Sequence, residues 1–83
     1  MPTILTFDGL RVVIYPNDHT PGHVHVIGPD CEAVFVLNCP KGPPTVRESM
    51  GFKVRSLRTV TARLQERLAT LCSAWEAIHG RNQ

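Results

Sequence analysis

Long apolar runs are missing from this 83-residue chain. No stretch approaches the roughly 20 residues that a membrane-spanning helix needs, and the N-terminus lacks the basic-then-apolar pattern of a signal peptide. Both absences lead to the expectation of a cytoplasmic protein with no membrane partner. Cysteine is scarce: Cys31, Cys39 and Cys72 are odd in number and none forms a C-x-x-C pair. That count argues against a disulfide framework and against a cysteine zinc finger. Cys31 and Cys39 bracket a strand too widely for a local bridge and read as bystanders, and Cys72 as a small buried hydrophobe.

Dense basic clusters are also lacking. The net charge is +2, but residues 1–44 carry two basic against four acidic residues, while residues 45–83 carry seven against three. Arg55, Arg58, Arg63 and Arg67 spread around a helix instead of lining one stripe, so contact with nucleic acid has only weak support. Lys41-Gly42 lacks the rest of a phosphate-binding loop. No serine or cysteine stands beside a base as an activated nucleophile.

What is present is enough for one folded unit. A hydrophobic fraction of 42% and a charged fraction of 19% belong to a globular chain, and its length exceeds the roughly 40 residues below which a core needs help from disulfides or metals. The expected organisation is a single domain over residues 1–83, with a β part over 1–50 and a C-terminal helix over 56–79.

Punctuation divides the two parts. All seven prolines and five of the six glycines precede residue 52. Residues 3–7 and 10–15 flank Asp8-Gly9, a two-residue hairpin signal. That turn sets Phe7 opposite Leu10, Leu5 opposite Val12 and Thr3 opposite Ile14. Leu5, Phe7, Leu10, Val12 and Ile14 then share the core face, and Ile4, Arg11, Val13 and Tyr15 point away. Residues 16–22 form a loop, 23–27 and 32–38 form strands joined through Gly28-Pro29-Asp30, and a weaker strand follows near 45–50. From Ser56 onward the period changes. Leu57, Val60, Leu64, Leu68, Leu71, Trp75 and Ile78 recur at three- and four-residue steps and line one face of a long amphipathic helix. Ser56 reads as its N-cap and Gly80 as its stop.

These elements define an α+β fold: a four- to five-stranded antiparallel meander of hairpins with one long C-terminal helix packed on one face. A helix over 56–79 is about 36 Å long against about 20 Å for a six-residue strand, so one end overhangs the sheet. The overhang (Trp75 and Ile78) and the uncovered residues Ile4, Val13 and Tyr15 together form a candidate interface for a homodimer or a protein partner. A curled sheet that shields its own residues is the simpler alternative.

The stretch with chemical content is Asn17-Asp18-His19-Thr20-Pro21-Gly22-His23-Val24-His25. On a strand, His23 and His25 point to the same side, with Val24 and Val26 on the other. Three readings follow. His23 and His25, with His19 or Asp18 as third ligand, suit a zinc-like divalent ion with an open position. Alternatively His19, His23 and His25 supply proton transfer while Arg11 holds an anion. The third reading is structural, and it is the favoured one: the imidazoles hydrogen-bond loop carbonyls and fix the bend at Pro21.

The opening Met1-Pro2-Thr3-Ile4, the strand ending at Tyr15 before Asn17-Asp18-His19, then Pro21, His23 and His25, and the late Leu71–Trp75 pairing resemble one small bacterial family. This is the domain-of-unknown-function family numbered 4160, whose signature runs approximately N-D-H-x-P-P-H-x-H. The resemblance covers nearly the whole chain and departs at Gly22, where the family usually has a second proline. It implies a short bacterial protein, often encoded beside a member of the uncharacterised family numbered 2442, in pairs proposed as toxin–antitoxin-like modules. It carries Asn17, Asp18, His19, His23 and His25 over as motif residues. Two functions follow as expectations: a component of a two-gene module that acts by binding a cognate protein, and a small histidine-based hydrolase or nuclease-like effector, with or without metal.

Overall fold

The computed structural model describes residues 3–80. Five strands come first: β1 (Thr3–Phe7), β2 (Leu10–Val13), β3 (His23–Gly28), β4 (Cys31–Val36) and β5 (Thr45–Met50). Two helices follow, α1 (Val54–Glu66) and α2 (Leu68–His79). The strands form one antiparallel sheet in chain order, β1-β2-β3-β4-β5, so every connection is a hairpin. The fold is α+β, as the change of sequence period implies.

Asp8 and Gly9 take φ of 51° and 77°. Positive φ at both central residues is the type I′ geometry, whose twist matches that of the flanking strands. The turn sets Phe7 opposite Leu10 and Leu5 opposite Val12, as expected, but the register then slips and Thr3 meets Val13 instead of Ile14. The irregularity falls between Thr3 and Leu5, and Ile4 packs half-buried against the core instead of pointing away from it.

The core lies between the sheet and the helices. Val12, Val24, Val26, Ala33 and Phe35 meet Val60, Leu64, Leu68, Leu71 and Trp75, with Ile14 and Leu37 closing one end. The helical stripe is therefore buried as its spacing requires, while Arg58, Arg63, Glu66 and Glu76 stay exposed.

One helix becomes two. The chain leaves helical geometry at Arg67, φ −116° and ψ 20°, whose N–H bonds Leu64 O three residues back. The segments are 13 and 12 residues long, about 20 and 18 Å at 1.5 Å per residue. Each is about as long as a six-residue strand, so the apolar stripe meets the sheet as two short segments instead of one rod. Trp75 is fully buried. The first helix also starts earlier than expected, at Val54 with Lys53 in the N-cap position, and not after Ser56. Gly80 ends α2 as expected: its φ is 84° and its N–H bonds Glu76 O at 2.7 Å.

A second correction concerns cysteine. Cys39, on the loop after β4, is bonded to Cys72 on α2, with Cα atoms 6.0 Å apart across a sequence separation of 33. The apolar stripe turns α2 toward the sheet and brings Cys72 to the end of β4, a proximity that local spacing does not reveal. Cys31 is free.

Candidate functional site

β3 presents its side chains alternately. Val24 and Val26 enter the core, and His23 and His25 take the opposite sense. His25 stands between Val13 on β2 and Val34 on β4, and His23 pairs with Val36. The loop after β2 then turns back. Asp18 N–H donates to Tyr15 O at 3.0 Å, and Tyr15 N–H donates to Asp18 Oδ2 at 3.1 Å. This tight turn is a property of Asp, whose short carboxylate bonds nearby backbone. It carries the carboxylate over β3.

Asp18, His23 and His25 thereby converge, with one ligand-type atom from each within 4.8 Å of the others. Asp18 Oδ2 lies 3.2 Å from His25 Nε2 and 3.4 Å from His23 Nε2. Their side chains are 15%, 15% and 4% exposed for Asp18, His25 and His23, so the cluster is largely enclosed but still touches solvent. A tetrahedral ion with bonds of about 2.1 Å has ligand–ligand edges of about 3.4 Å. The two Asp18 edges fit; in the metal-free chain the shorter one is a hydrogen bond between His25 Nε2 and the carboxylate.

The second nitrogen of His23 fixes its chemistry. His23 Nδ1 lies 2.8 Å from the Pro21 carbonyl oxygen. A carbonyl only accepts, so Nδ1 carries the hydrogen. In the neutral ring Nε2 is then a bare lone pair, and it faces a carboxylate. Two acceptors so placed repel each other weakly, and a cation between them would turn that contact into an attraction. An Nδ1–H bound to a backbone carbonyl, with Nε2 free, is also the arrangement that orients metal-ligating histidines. His25 Nδ1 is buried without a hydrogen-bond partner and lies 3.9 Å from Glu32 Oε2, too far for a hydrogen bond.

The rings form a continuous chain. Tyr15 meets His25 at 4.6 Å between centroids, His25 meets His23 at 5.3 Å, His23 meets Trp75 at 5.2 Å, and Trp75 stacks on His79 at 3.8 Å. Trp75 thus backs the site from α2, a role its helical spacing alone did not disclose. His79 was not singled out in the sequence, although its place four residues after Trp75 puts both on one helix face. Trp75 Nε1 and both His79 nitrogens are buried without hydrogen-bond partners.

Other sequence candidates lie elsewhere. His19 is exposed and outside the cluster, so the third member beside His23 and His25 is Asp18. Arg11 is exposed and pairs with Ile27 near the far end of β3. Of the proposed interface residues, Val13 and Trp75 are fully buried within the chain and offer no surface. Ile4, Tyr15 and Ile78 are half-buried. Gly22 is buried, and its carbonyl accepts the Leu37 N–H at 2.9 Å, tying the histidine loop to the end of β4.

A five-stranded meander backed by two helices, with a dihistidine pair on its third strand met by a carboxylate from the preceding loop, defines a small α+β domain with a concentrated polar site. The chain belongs to the family described as domain of unknown function (DUF4160), whose model matches residues 9–76 and so takes in the turn, the cluster and Trp75. No curated protein and no solved structure matches the chain.

Proposed function

We propose that this chain is a small metal-binding protein of hydrolytic type, in which Asp18, His23 and His25 hold a zinc-like divalent ion and leave a coordination position for water. The observation behind this reading is the His23 Nδ1–H bond to Pro21, which leaves the Nε2 lone pair aimed at the Asp18 carboxylate. Three protein ligands and one open position are the composition of catalytic zinc sites, where the ion lowers the pKa of bound water to about 7 and generates hydroxide as nucleophile. Asp18 and His25 keep a small solvent-exposed fraction, so water reaches the cluster. Native mass spectrometry of the wild type beside D18N and the His23→Ala/His25→Ala double variant is the test. One zinc per wild-type chain and none on the variants supports the reading. A wild-type chain that takes no zinc, manganese or cobalt overturns it.

A different surface favours a second reading, protein binding within a two-gene, toxin–antitoxin-like module of the cytoplasm. All six residues of the edge strand β5 are exposed. Val46, Met50 and neighbouring Val54 are the large exposed hydrophobics, at 41%, 73% and 68%. An edge strand with an apolar flank accepts an extended segment of a partner, or of a second copy, by adding a strand. Co-purification with the product of the adjacent gene, lost in Val46→Lys/Met50→Lys, supports this reading. A monomer that ignores that product counts against it.

A further inference from the structure

The Cys39–Cys72 bridge joins the two segments that hold His23. On α2, Cys72 precedes Trp75 by one helical turn, on the same side, and the buried Trp75 ring packs 5.2 Å from the His23 ring. On the other side, Cys39 closely follows Leu37, whose N–H is bonded to the Gly22 carbonyl. Gly22 adjoins Pro21, the acceptor for His23 Nδ1. A shallow pocket of about 170 Å³, lined by Pro21, Gly22, Val36, Asn38 and Cys39, joins the histidine loop to the cysteine loop. The bridge therefore closes a clamp around one ring, with Trp75 on one jaw and the Pro21–Gly22 backbone on the other.

We infer that Cys39–Cys72 is a redox latch on the Asp18–His23–His25 site: oxidised, it holds His23 in its ligating orientation; reduced, it releases the ring and lowers metal affinity. This rests on the metal-binding reading above. Cys39 is exposed and Cys72 half-buried, so a reductant reaches the bridge from the Cys39 side. A thiolate of a dithiol reductant attacks Cys39 Sγ, the S–S bond breaks, and Cys72 leaves as thiolate and takes a proton. The reductant's second thiol then displaces Cys39 from the mixed disulfide. Two electrons and two protons pass to the protein, and the reductant leaves as its own disulfide. Disulfides in reducing compartments are mostly of this transient, sensing kind. Freed from each other, the loop after β4 and α2 no longer hold the two jaws in register.

The test is zinc affinity, read by competition with a chromophoric chelator, for the air-oxidised wild type, the wild type reduced with a phosphine, and the Cys39→Ser/Cys72→Ser variant. The latch predicts that both unlinked forms bind zinc at least tenfold more weakly than the oxidised form, and that Cys31→Ser matches the oxidised form. The double variant guards against zinc capture by freed thiolates. Equal affinity in all three forms overturns the latch and leaves the metal site standing, whereas no zinc on any form removes both. Three titratable thiols in the air-oxidised protein also overturn the latch. Circular dichroism accompanies each titration. If the double variant does not fold, the reduced wild type carries the comparison, and if that also unfolds the bridge is a structural staple and no latch.

Discussion

His23 Nε2 lies 3.4 Å from Asp18 Oδ2 while the same ring donates its Nδ1–H to the Pro21 carbonyl oxygen. Asp18→Asn tests whether the pair holds a metal ion or only a fold. The substitution keeps the shape but removes the charge, and its amide N–H₂ can donate to the bare Nε2. If a metal ion fills the gap, the metal-free variant should be about as stable as the metal-free wild type, and its zinc affinity should fall by about 100-fold or more, since even loss of an outer-shell partner costs about 10- to 100-fold. If the carboxylate only holds the two histidines in place by hydrogen bonding, the variant instead loses about 1–3 kcal/mol of stability, the cost of buried polar groups left poorly paired. Urea denaturation with and without zinc distinguishes the two outcomes.

The three histidines of the motif should also separate by stability. His23 is 3% exposed and packs against Trp75, so His23→Ala opens a cavity and should cost about 2–4 kcal/mol. His25 is less enclosed and should cost about 1–2 kcal/mol as alanine. His19 is exposed, and His19→Ala should change stability by less than about 0.5 kcal/mol and leave zinc binding intact. Chemical denaturation of the three single variants checks the order. A His19 variant that loses zinc would remove Asp18 as the third ligand.

The sheet was legible because its signals are local. Asp8-Gly9 and the Pro29-Asp30 turn set pairings within a few residues, and the β3–β4 ladder runs unbroken from His23–Val36 to Gly28–Cys31. The helical stripe was legible for the same reason, since each member is one turn from the next. The break at Arg67 was not, because Leu64, Leu68 and Leu71 keep the same spacing across it and no proline or glycine marks it. The His-x-His pair announced itself, but the choice between His19 and Asp18 depends on how the loop returns, which rests on the Tyr15–Asp18 turn. The Cys39–Cys72 bridge depends on where the end of β4 meets α2, which follows only after the sheet and helices have docked.

That bridge should carry measurable stability whatever its role at the site. Its ends are 33 residues apart, and the chain-entropy cost of a loop of that size is on the order of 3–4 kcal/mol. Reduction should therefore lower the urea midpoint without abolishing cooperative unfolding. Thiol titration in denaturant should find one reactive group, Cys31, before reduction and three afterwards. Unchanged stability on reduction would mean that the denatured chain already keeps the loop closed.

Two glycines offer a test of how the sheet is joined to the first helix. Gly9 and Gly51 both take positive φ, 77° and 83°, so alanine is strained at either place. Their surroundings differ. A Cβ at Gly9 meets nothing within 4 Å, whereas at Gly51 it would fall 2.3 Å from the Asp30 carbonyl oxygen and 3.0 Å from Cys31 Cα. Those atoms are backbone and cannot swing aside. Gly9→Ala should cost about 1 kcal/mol, the conformational share alone. Gly51→Ala should cost at least about 2 kcal/mol more, because the exit of β5 must move off the β3–β4 turn before α1 can start. Comparing the two variants by thermal and urea unfolding isolates the crowding from the backbone strain. Equal losses would show that the β3–β4 turn yields freely, and that α1 is positioned by its packing on the sheet and not by the close approach at Gly51.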